Sequence, residues 1–443
     1  MGLVTAKARI LIVARDEARV GPLAEGLDRL GWRTITARGP YAAMAALADL
    51  TIEAAIVDLG EGGESLDMAR RLKAACAPRR LPVIGLGQPD RRWEEHEFDL
   101  FLAPPLEASQ AVTRLEALVR VAVAEEEFEL RVQTFAEQGR LLAAPAPEAG
   151  PLRILAVGEP TPSFLSLSNA LSAIGAEVVG AFTAFTAFDY LHDRRFEAVV
   201  LWAGDNRKEV LQIATGMRRN TKLYHIPVLL CLKEASDIGP AEAYGRGVTD
   251  VASPSRSEAE TARRVAELAR AHRRQNAVRA ALERARSSGL MDAATGLFTR
   301  DLFASHVVRL AQAAQARNRS LSVCVLKVAD TAAVNAARAG GYLDRAIPQL
   351  GSMIGRLVRV EDTGARLGAE IFALAMPDTG LAAARVACER IAAVIACTAF
   401  EAGDKRPPFV VEFDIGVAEV DPGENAARAL ERAASGALQL KAG

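Results

Sequence analysis

A pattern of short apolar runs occurs twice along the amino-acid sequence, and this repeat constrains the fold more than any other feature. Residues 52–57 (IEAAIV) are matched by residues 196–201 (FEAVVL), and residues 81–85 (LPVIG) by residues 226–230 (IPVLL). Each match is displaced by about 145 residues, which is the length of a whole domain rather than of a small repeat unit. We therefore expect two copies of one domain in series.

Within each copy, apolar runs alternate with longer segments of helical pattern. The run 10–13 (ILIV) is apolar at every position, and so is the run 54–57 (AAIV). Continuously apolar strands are typical of a parallel sheet that helices cover on both faces, whereas strands of one-sided sheets alternate with polar residues. The sequence therefore predicts an α/β fold with a doubly wound parallel sheet in each copy.

The rest of the chain forms a third unit of different pattern. A stretch rich in Pro and Gly, residues 143–151 (AAPAPEAGP), separates the two copies, because these residues break helices and strands. In the third unit, candidate strands near 321–328, 364–376 and 409–420 are interspersed with helices, which indicates an α+β domain. We expect three domains, with the boundaries 1–142, 151–275 and 288–443.

Composition and charge exclude several classes of function. The chain carries 54 Lys and Arg against 55 Asp and Glu, a formal net charge of −1, so it lacks the basic excess of a nucleic-acid binder. Its five Cys and five His are scattered singly, which predicts no metal centre and no cofactor. No apolar stretch approaches the roughly 18 residues that span a bilayer, and no signal peptide is recognisable, so we expect a cytoplasmic protein without membrane insertion.

The first copy carries a carboxylate, Asp58, directly after the run 54–57. With this strand pattern, both copies resemble receiver domains of two-component response regulators, and the resemblance implies a flavodoxin-like fold. In receivers a carboxylate at this position accepts a phosphoryl group beside a Mg²⁺ ion that an acidic pair holds. Ala14 and Arg15 occupy the acidic-pair positions here. Asp58 is thus a candidate phosphoacceptor, and the alternative is a strand-end carboxylate without this role.

The second copy differs at the corresponding position. Trp202 stands where a receiver has its phosphoacceptor. An indole side chain cannot accept a phosphoryl group, so we expect this copy to act as an adaptor or dimerisation module.

The third unit contains two motifs that carry a more specific resemblance. Residues 292–300 (DAATGLFTR) are similar to the D-x-L-T-G-L-x-N-R opening of GGDEF domains, the diguanylate cyclase family. Residues 366–374 (RLGAEIFAL) lie where that family has R-x-G-G-D/E-E-F. The resemblance covers residues 290–443 and implies the nucleotide-cyclase-like α+β fold of the family.

The same resemblance identifies the positions of the cyclase active site, where the family holds two Mg²⁺ ions on acidic side chains. The strand Asp is replaced by Lys327, the second Gly of the signature by Ala369, and its second acidic residue by Ile371. An ammonium group in such a site repels Mg²⁺. We therefore expect no enzyme, and the alternative is a weak diguanylate cyclase. The degenerate active-site positions are Lys327, Asn335, Gly368, Ala369, Glu370 and Ile371.

A second site of the family is retained in full. Arg359 and Asp362 form an R-x-x-D motif that ends five residues before Gly368, counting residues 363–367, which is the family's spacing for its inhibitory site. The resemblance implies that Arg359, Asp362 and Arg390 bind cyclic di-GMP. The chemistry suits this ligand, because Arg donates to guanine O6 and N7 or to phosphate, and Asp accepts from guanine N–H groups. The alternative is a surface ion pair within a turn, which contributes little.

Together these resemblances imply a non-catalytic cyclic di-GMP receptor in bacterial cell-cycle signalling. They further imply a homodimer, a position at a cell pole, and protein adaptors through which a cell-cycle regulator reaches an ATP-dependent protease. A phosphorylation-dependent response regulator that works through Asp58 is a further alternative.

Overall fold

A computed structural model of the chain describes most of the 443 residues. The described ranges are 8–59, 64–87, 98–102, 106–203, 207–220, 222–233, 238–285, 290–402 and 406–439.

The first domain is a five-stranded parallel sheet between two layers of helices. Its strand order, β2-β1-β3-β4-β5, is that of flavodoxin-like folds. Alternate side chains of the first strand enter opposite cores, Ile10 and Ile12 on one face and Leu11 and Val13 on the other. The elements are β1 (Arg9–Val13), α1 (Glu17–Arg29), β2 (Arg33–Ala37), α2 (Pro40–Asp49), β3 (Ala54–Asp58), α3 (Glu64–Cys76), β4 (Val83–Leu86), β5 (Leu100–Leu102) and α4 (Ala108–Glu137).

The second domain repeats this topology, with the order β7-β6-β8-β9-β10 and all neighbours parallel. Adjacent residues of its first strand again face opposite cores, Ile154 one and Leu155 the other. The predicted duplication of a doubly wound α/β domain is therefore confirmed. The elements are β6 (Leu152–Val157), α5 (Pro162–Ala173), β7 (Ala176–Ala181), α6 (Ala184–Asp193), β8 (Ala198–Ala203), α7 (Arg207–Arg219), β9 (Val228–Leu232), α8 (Pro240–Gly245), β10 (Asp250–Ala252) and α9 (Glu258–Ala285).

The third domain is an antiparallel sheet of order β12-β13-β11-β14, with helices on both faces. One helix lies so close to the last strand that a Cβ on Gly416 would stand 1.7 Å from the carbonyl oxygen of Ala433, so only glycine fits there. The α+β expectation is confirmed. The elements are α10 (Arg300–Arg317), β11 (Leu321–Val328), α11 (Ala332–Ala339), α12 (Leu343–Leu357), β12 (Thr363–Arg366), β13 (Ile371–Pro377), α13 (Leu381–Ala396), β14 (Phe413–Glu419) and α14 (Ala426–Gln439).

Two long helices connect the domains. Helix α4 has 30 residues and α9 has 28, and α9 continues without a break through residue 275, where the sequence predicted the end of the second domain. The far half of α4 leaves the first domain, and its Leu130 and Phe135 lie in the core of the third domain. The Phe135 and Phe298 rings meet edge to face, with centroids 5.8 Å apart. The first domain thereby completes the hydrophobic core of the third.

None of the described helices combines the length and the apolar character that a membrane crossing requires.

Candidate functional site

The R-x-x-D motif forms a tight turn between α12 and β12. The main-chain amide of Arg359 donates to Asp362 Oδ2 over 2.9 Å, and the amide of Asp362 donates back to the Arg359 carbonyl over 3.2 Å. The Arg359 side chain is exposed, whereas Asp362 is only 5% exposed. The carboxylate therefore bonds the main-chain amide of Arg359 within the turn, with Asp362 buried and the Arg359 side chain exposed.

The second predicted arginine lies on the neighbouring helix. Arg390 is on α13 and is exposed, while Cys388 and Ile391 of the same helix are buried. These two side chains share one core cluster with Ile354 of α12, the helix that leads into the R-x-x-D turn. A common core thus fixes the elements that carry both arginines.

The turn is held from outside the third domain by Arg131 of α4. Its Nη2 donates to the carbonyl oxygen of Asp362 over 3.1 Å, to Thr363 Oγ1 over 3.1 Å, and to the carbonyl oxygen of Val360 over 3.4 Å. The guanidinium carbon also lies 5.8 Å from the centre of the Phe298 ring. Only 1% of the Arg131 side chain is exposed.

A buried carboxylate of α4 completes this contact. Glu127 Oε1 accepts from Arg131 Nε over 2.7 Å and from Thr363 Oγ1 over 3.2 Å, and it lies 2.9 Å from His306 Nε2. Burial acts to raise the pKa of Glu127, but the charges of His306 and Arg131 and their hydrogen bonds outweigh it and hold that pKa below its usual range. Glu127 therefore stays ionised although it is almost fully enclosed.

The pKa of the Asp362 carboxyl is shifted in the opposite direction. Burial and the neighbouring charge of Glu361 raise its pKa to about 7, against the hydrogen bond from the Arg359 amide. Asp362 Oδ1 has no hydrogen-bond donor within reach in the described part of the chain, and Glu127 Oε2 has none either. A buried oxygen without a donor costs about 1–3 kcal/mol, so this arrangement of the turn carries a penalty.

The positions that the sequence predicts for a degenerate cyclase active site lie at the other end of strands β11 and β13. Lys327 is paired directly with Ile371 across the antiparallel ladder, so their side chains share one face of the sheet. On the other side Lys327 is paired with Asp414 of β14. Lys327 and Ile371 stand at positions where the family carries metal-binding acids. An ammonium group and an aliphatic side chain therefore lie side by side there.

The one signature acid, Glu370, forms a two-point ion pair with Arg338 of α11. The Arg338 Nε and Nη2 atoms lie 2.9 and 2.6 Å from the two carboxylate oxygens. Arg338 also donates to Asn335 Oδ1 over 2.5 Å and to Asp330 Oδ1 over 3.1 Å. The guanidinium therefore bonds the side-chain oxygens of Glu370 and Asn335, two of the predicted positions.

The motif at residues 292–300 contacts the turn between strands β12 and β13. Asp292 accepts from the amide and the hydroxyl of Thr295, and Arg366 lies 3.4 Å from the same carboxylate oxygen. Arg366 also donates to the carbonyl oxygens of Gly368 and Ala369 over 3.1 Å each. These contacts hold the residues 366–370 in a defined turn.

In the first domain, Asp58 forms an ion pair with Arg19, with 3.1 Å between Nη1 and Oδ2. Both residues line an open cleft of about 340 Å³, together with Gly87 and Leu106.

In the second domain, Trp202 stands at the position that corresponds to Asp58. Its ring packs on Phe164 at 4.6 Å between centroids, and a Cβ on Gly158 would stand 2.8 Å from the Trp202 Cβ. Trp202 thus packs closely against α5 and Gly158, whereas Asp58 at the corresponding strand end lines an open cleft.

Sequence reasoning missed Arg131, Glu127 and Arg338. Glu127 and Arg131 have the spacing i, i+4, which on a helix is usually an exposed pair. Arg338 follows Asn335 by three residues on α11, but its partner Glu370 lies 32 residues further on. No group of three or more metal-binding side chains is found within the described ranges.

Comparison with known proteins agrees with this architecture. Residues 289–443 match the family model "Diguanylate cyclase, GGDEF domain". The chain is 24% identical over 443 residues to the response regulator PleD of Caulobacter vibrioides, covering 98% of this chain and 97% of that protein.

Several solved GGDEF structures are also similar. The GGDEF domain of DgcB from Caulobacter crescentus, in complex with c-di-GMP, is 22% identical with a TM-score of 0.32, covering 34% of this chain and 88% of that one. The FimX GGDEF domain from Pseudomonas aeruginosa is 22% identical with a TM-score of 0.32, covering 35% and 96%. Residues 289–443 are thus similar to GGDEF domains, and the chain is similar over nearly its whole length to the response regulator PleD.

Proposed function

We propose that this protein is a non-catalytic receptor for cyclic di-GMP, which binds the dinucleotide at Arg359, Asp362 and Arg390. One contrast carries the proposal. The third domain keeps the complete R-x-x-D site in the family's register, while the positions that would hold metal ions carry Lys327 and Ile371. A chain that retains the binding residues and lacks the metal ligands is suited to sensing the dinucleotide rather than to making it.

The binding chemistry follows from the side chains. The exposed guanidinium groups of Arg359 and Arg390 can donate in pairs to guanine O6 and N7 or to phosphate oxygens, and each can stack on a purine face. The Asp362 carboxylate can accept from guanine N1–H and N2–H. These placed arginines neutralise a dianionic ligand without the global positive charge that the chain lacks.

The former cyclase cleft does not fit a pair of Mg²⁺ ions. Mg²⁺ requires oxygen ligands in octahedral geometry, and Glu370 is already paired at both oxygens with Arg338. The Lys327 ammonium adds a like charge at the strand position. Arg338 supplies to Glu370 the positive charge that metal ions supply in an active cyclase.

In this layout the chain resembles PopA, a cyclic di-GMP effector with a degenerate GGDEF domain. The resemblance implies a homodimer at a cell pole, with protein adaptors that deliver a cell-cycle regulator to an ATP-dependent protease. The ligand would select one arrangement of domains that these partners recognise.

Photocrosslinking with labelled cyclic di-GMP tests the site. We expect label on the wild-type protein and on Glu370→Gln, with loss of label in Arg390→Ala. Excess unlabelled cyclic di-GMP should compete, whereas GTP should not. Equal competition by GTP, or label that depends on Glu370 rather than on Arg390, would move the ligand to the former cyclase cleft and contradict the proposal.

A further inference from the structure

The R-x-x-D turn is docked in a form that hides one of its two binding groups. Arg359 is exposed, but Asp362 is only 5% exposed, and its Oδ1 has no donor within reach in the described part of the chain. A carboxylate in this position cannot meet the N–H edge of a guanine. The turn must therefore move before the proposed ligand can use both groups.

The contacts that hold the turn come from the first receiver-like domain. Arg131 donates to two main-chain carbonyls of the turn, those of Val360 and Asp362, and to the hydroxyl of Thr363. Glu127 accepts from the same Thr363 hydroxyl. We call residues 360–363 in this arrangement the docked turn, and we call Glu127 with Arg131 the α4 clamp.

Helices α4 and α9 also make apolar contacts with the docked turn. Val360 packs against a cluster that includes Phe128 of α4 and Val278 and Leu282 of α9. The clamp itself is firmly placed, because Phe135 of the same helix is fully buried in the core of the third domain. The turn, rather than the helix, is thus the part that can be released.

The docked turn carries energetic costs beside its favourable contacts. The buried charges of Glu127 and Arg131 lose hydration, and this loss offsets part of their mutual attraction. The two carboxylate oxygens without donors, Asp362 Oδ1 and Glu127 Oε2, add a further cost. When the turn is released, a ligand can donate hydrogen bonds to Asp362 and so remove the cost of its unpaired oxygen. In the docked turn the ligand cannot reach that oxygen.

We propose that the α4 clamp is an autoinhibitory contact, through which the first receiver-like domain holds the R-x-x-D turn docked and lowers its affinity for cyclic di-GMP. The inference rests on the proposed function and names a regulation of the same site. Since ligand and clamp compete for the turn, dinucleotide binding weakens the clamp, and any event that loosens the clamp strengthens binding by the same factor. The apparent dissociation constant equals the intrinsic one divided by the released fraction.

Calorimetric titration of the full-length protein with cyclic di-GMP tests this inference. Arg131→Met removes all the donors of the clamp but keeps an unbranched side chain of similar reach. Thr363→Val loosens the clamp from the other side and keeps the side-chain shape, so it serves even where Arg131→Met fails to fold. The matched control is Arg71→Met, which makes the same change in an exposed i, i+4 pair with Asp67 of α3.

We expect about tenfold or more tighter binding for Arg131→Met and about threefold to fivefold for Thr363→Val, with Arg71→Met unchanged. Unchanged or weaker binding in both clamp variants, with binding intact in the wild type, would overturn the inference and leave the proposed function standing. No binding by the wild type or by either clamp variant would overturn the proposed function and this inference together.

Discussion

The guanidinium Nη2 of Arg131 donates a hydrogen bond of 3.1 Å to the carbonyl oxygen of Asp362, across 231 residues of sequence. This bond joins the last helix of the first receiver-like domain to the motif in the GGDEF domain that we propose binds the dinucleotide. Two domains that the sequence presents as separate units are therefore in direct contact at the proposed ligand site.

The shared core predicts that α4 stabilises the GGDEF domain. Phe135 is fully buried there, so Phe135→Ala should lower the free energy of unfolding by about 3–5 kcal/mol, since it removes apolar contacts and leaves a cavity. Urea unfolding, followed by signals from the first and the third domain, measures the change. The exposed Leu141, beyond the helix, is the matched control, and Leu141→Ala should change little. A first-domain signal that shifts without the third-domain signal would contradict the shared core.

The stability that the Asp362 carboxyl contributes should fall as the pH rises toward neutrality. The pKa of Asp362 is raised to about 7 in the folded protein from about 4 in the unfolded chain, so the native state binds the proton more tightly between these values. Burial also raises the pKa values of Glu361 and Asp378, which act in the same direction. Burial lowers the pKa of His225 to about 4 and that of His272 to about 3, and these two groups act in the opposite direction. The pKa of Glu127 is lowered, so its contribution is lost only under more acidic conditions.

The measurement is the change in urea midpoint from about pH 8 to about pH 5.5, which should be more favourable in the wild type than in Asp362→Asn. Asp362→Asn keeps the shape of the side chain and removes its titration, so the comparison isolates the contribution of this carboxyl group. The same change of midpoint in the two proteins would contradict the prediction.

The ion pair between Arg338 and Glu370 predicts that freeing the acid does not restore catalysis. Wild type and Arg338→Ala should both form no cyclic di-GMP from GTP with Mg²⁺ or Mn²⁺, because Lys327 and Ile371 remain at the metal positions. Chromatography of the products provides the measurement. Product from the wild type that disappears in Glu370→Ala would revive the weak-cyclase alternative.

The pairing of Asp58 with Arg19 predicts poor phosphoryl transfer. The guanidinium lies 3.1 Å from the carboxylate, and Ala14 and Arg15 stand at the positions of the acidic pair, so Mg²⁺ should bind weakly. Incubation with labelled acetyl phosphate and Mg²⁺ should leave no more label on the wild type than on Asp58→Asn. Label that is specific to Asp58 would instead support the phosphorylation-dependent regulator.

The sequence predicted the fold well, because short runs that are apolar at every position, such as 10–13 and 54–57, are typical of buried strands in a parallel sheet. It could not predict how the domains meet. The pair Glu127 and Arg131 has the pattern of a solvated helix face, and its burial depends on Thr363 and His306, which lie far away in sequence. Such contacts arise from tertiary packing and leave no local pattern.

The same holds for the candidate site. The register of Arg359 and Asp362 with the signature was readable, and both arginines are exposed as a ligand requires. The burial of Asp362 could not be predicted from the sequence, because the turn that contains it contacts α4 and α9, which lie far away in sequence. The ion pair of Glu370 with Arg338 could not be predicted either, because Arg338 lies on a separate helix, 32 residues away in sequence.

The central claim is that Arg359 and Asp362 bind cyclic di-GMP, and calorimetric titration of the dinucleotide tests it most directly. The matched control for Arg359→Ala is Arg356→Ala, an exposed arginine in the last turn of α12. We predict saturable binding by the wild type and by Arg356→Ala, with two ligands per site if they stack, and no measurable binding by Arg359→Ala. Absence of saturable binding in the wild type, or equal affinity in Arg359→Ala, would contradict the account.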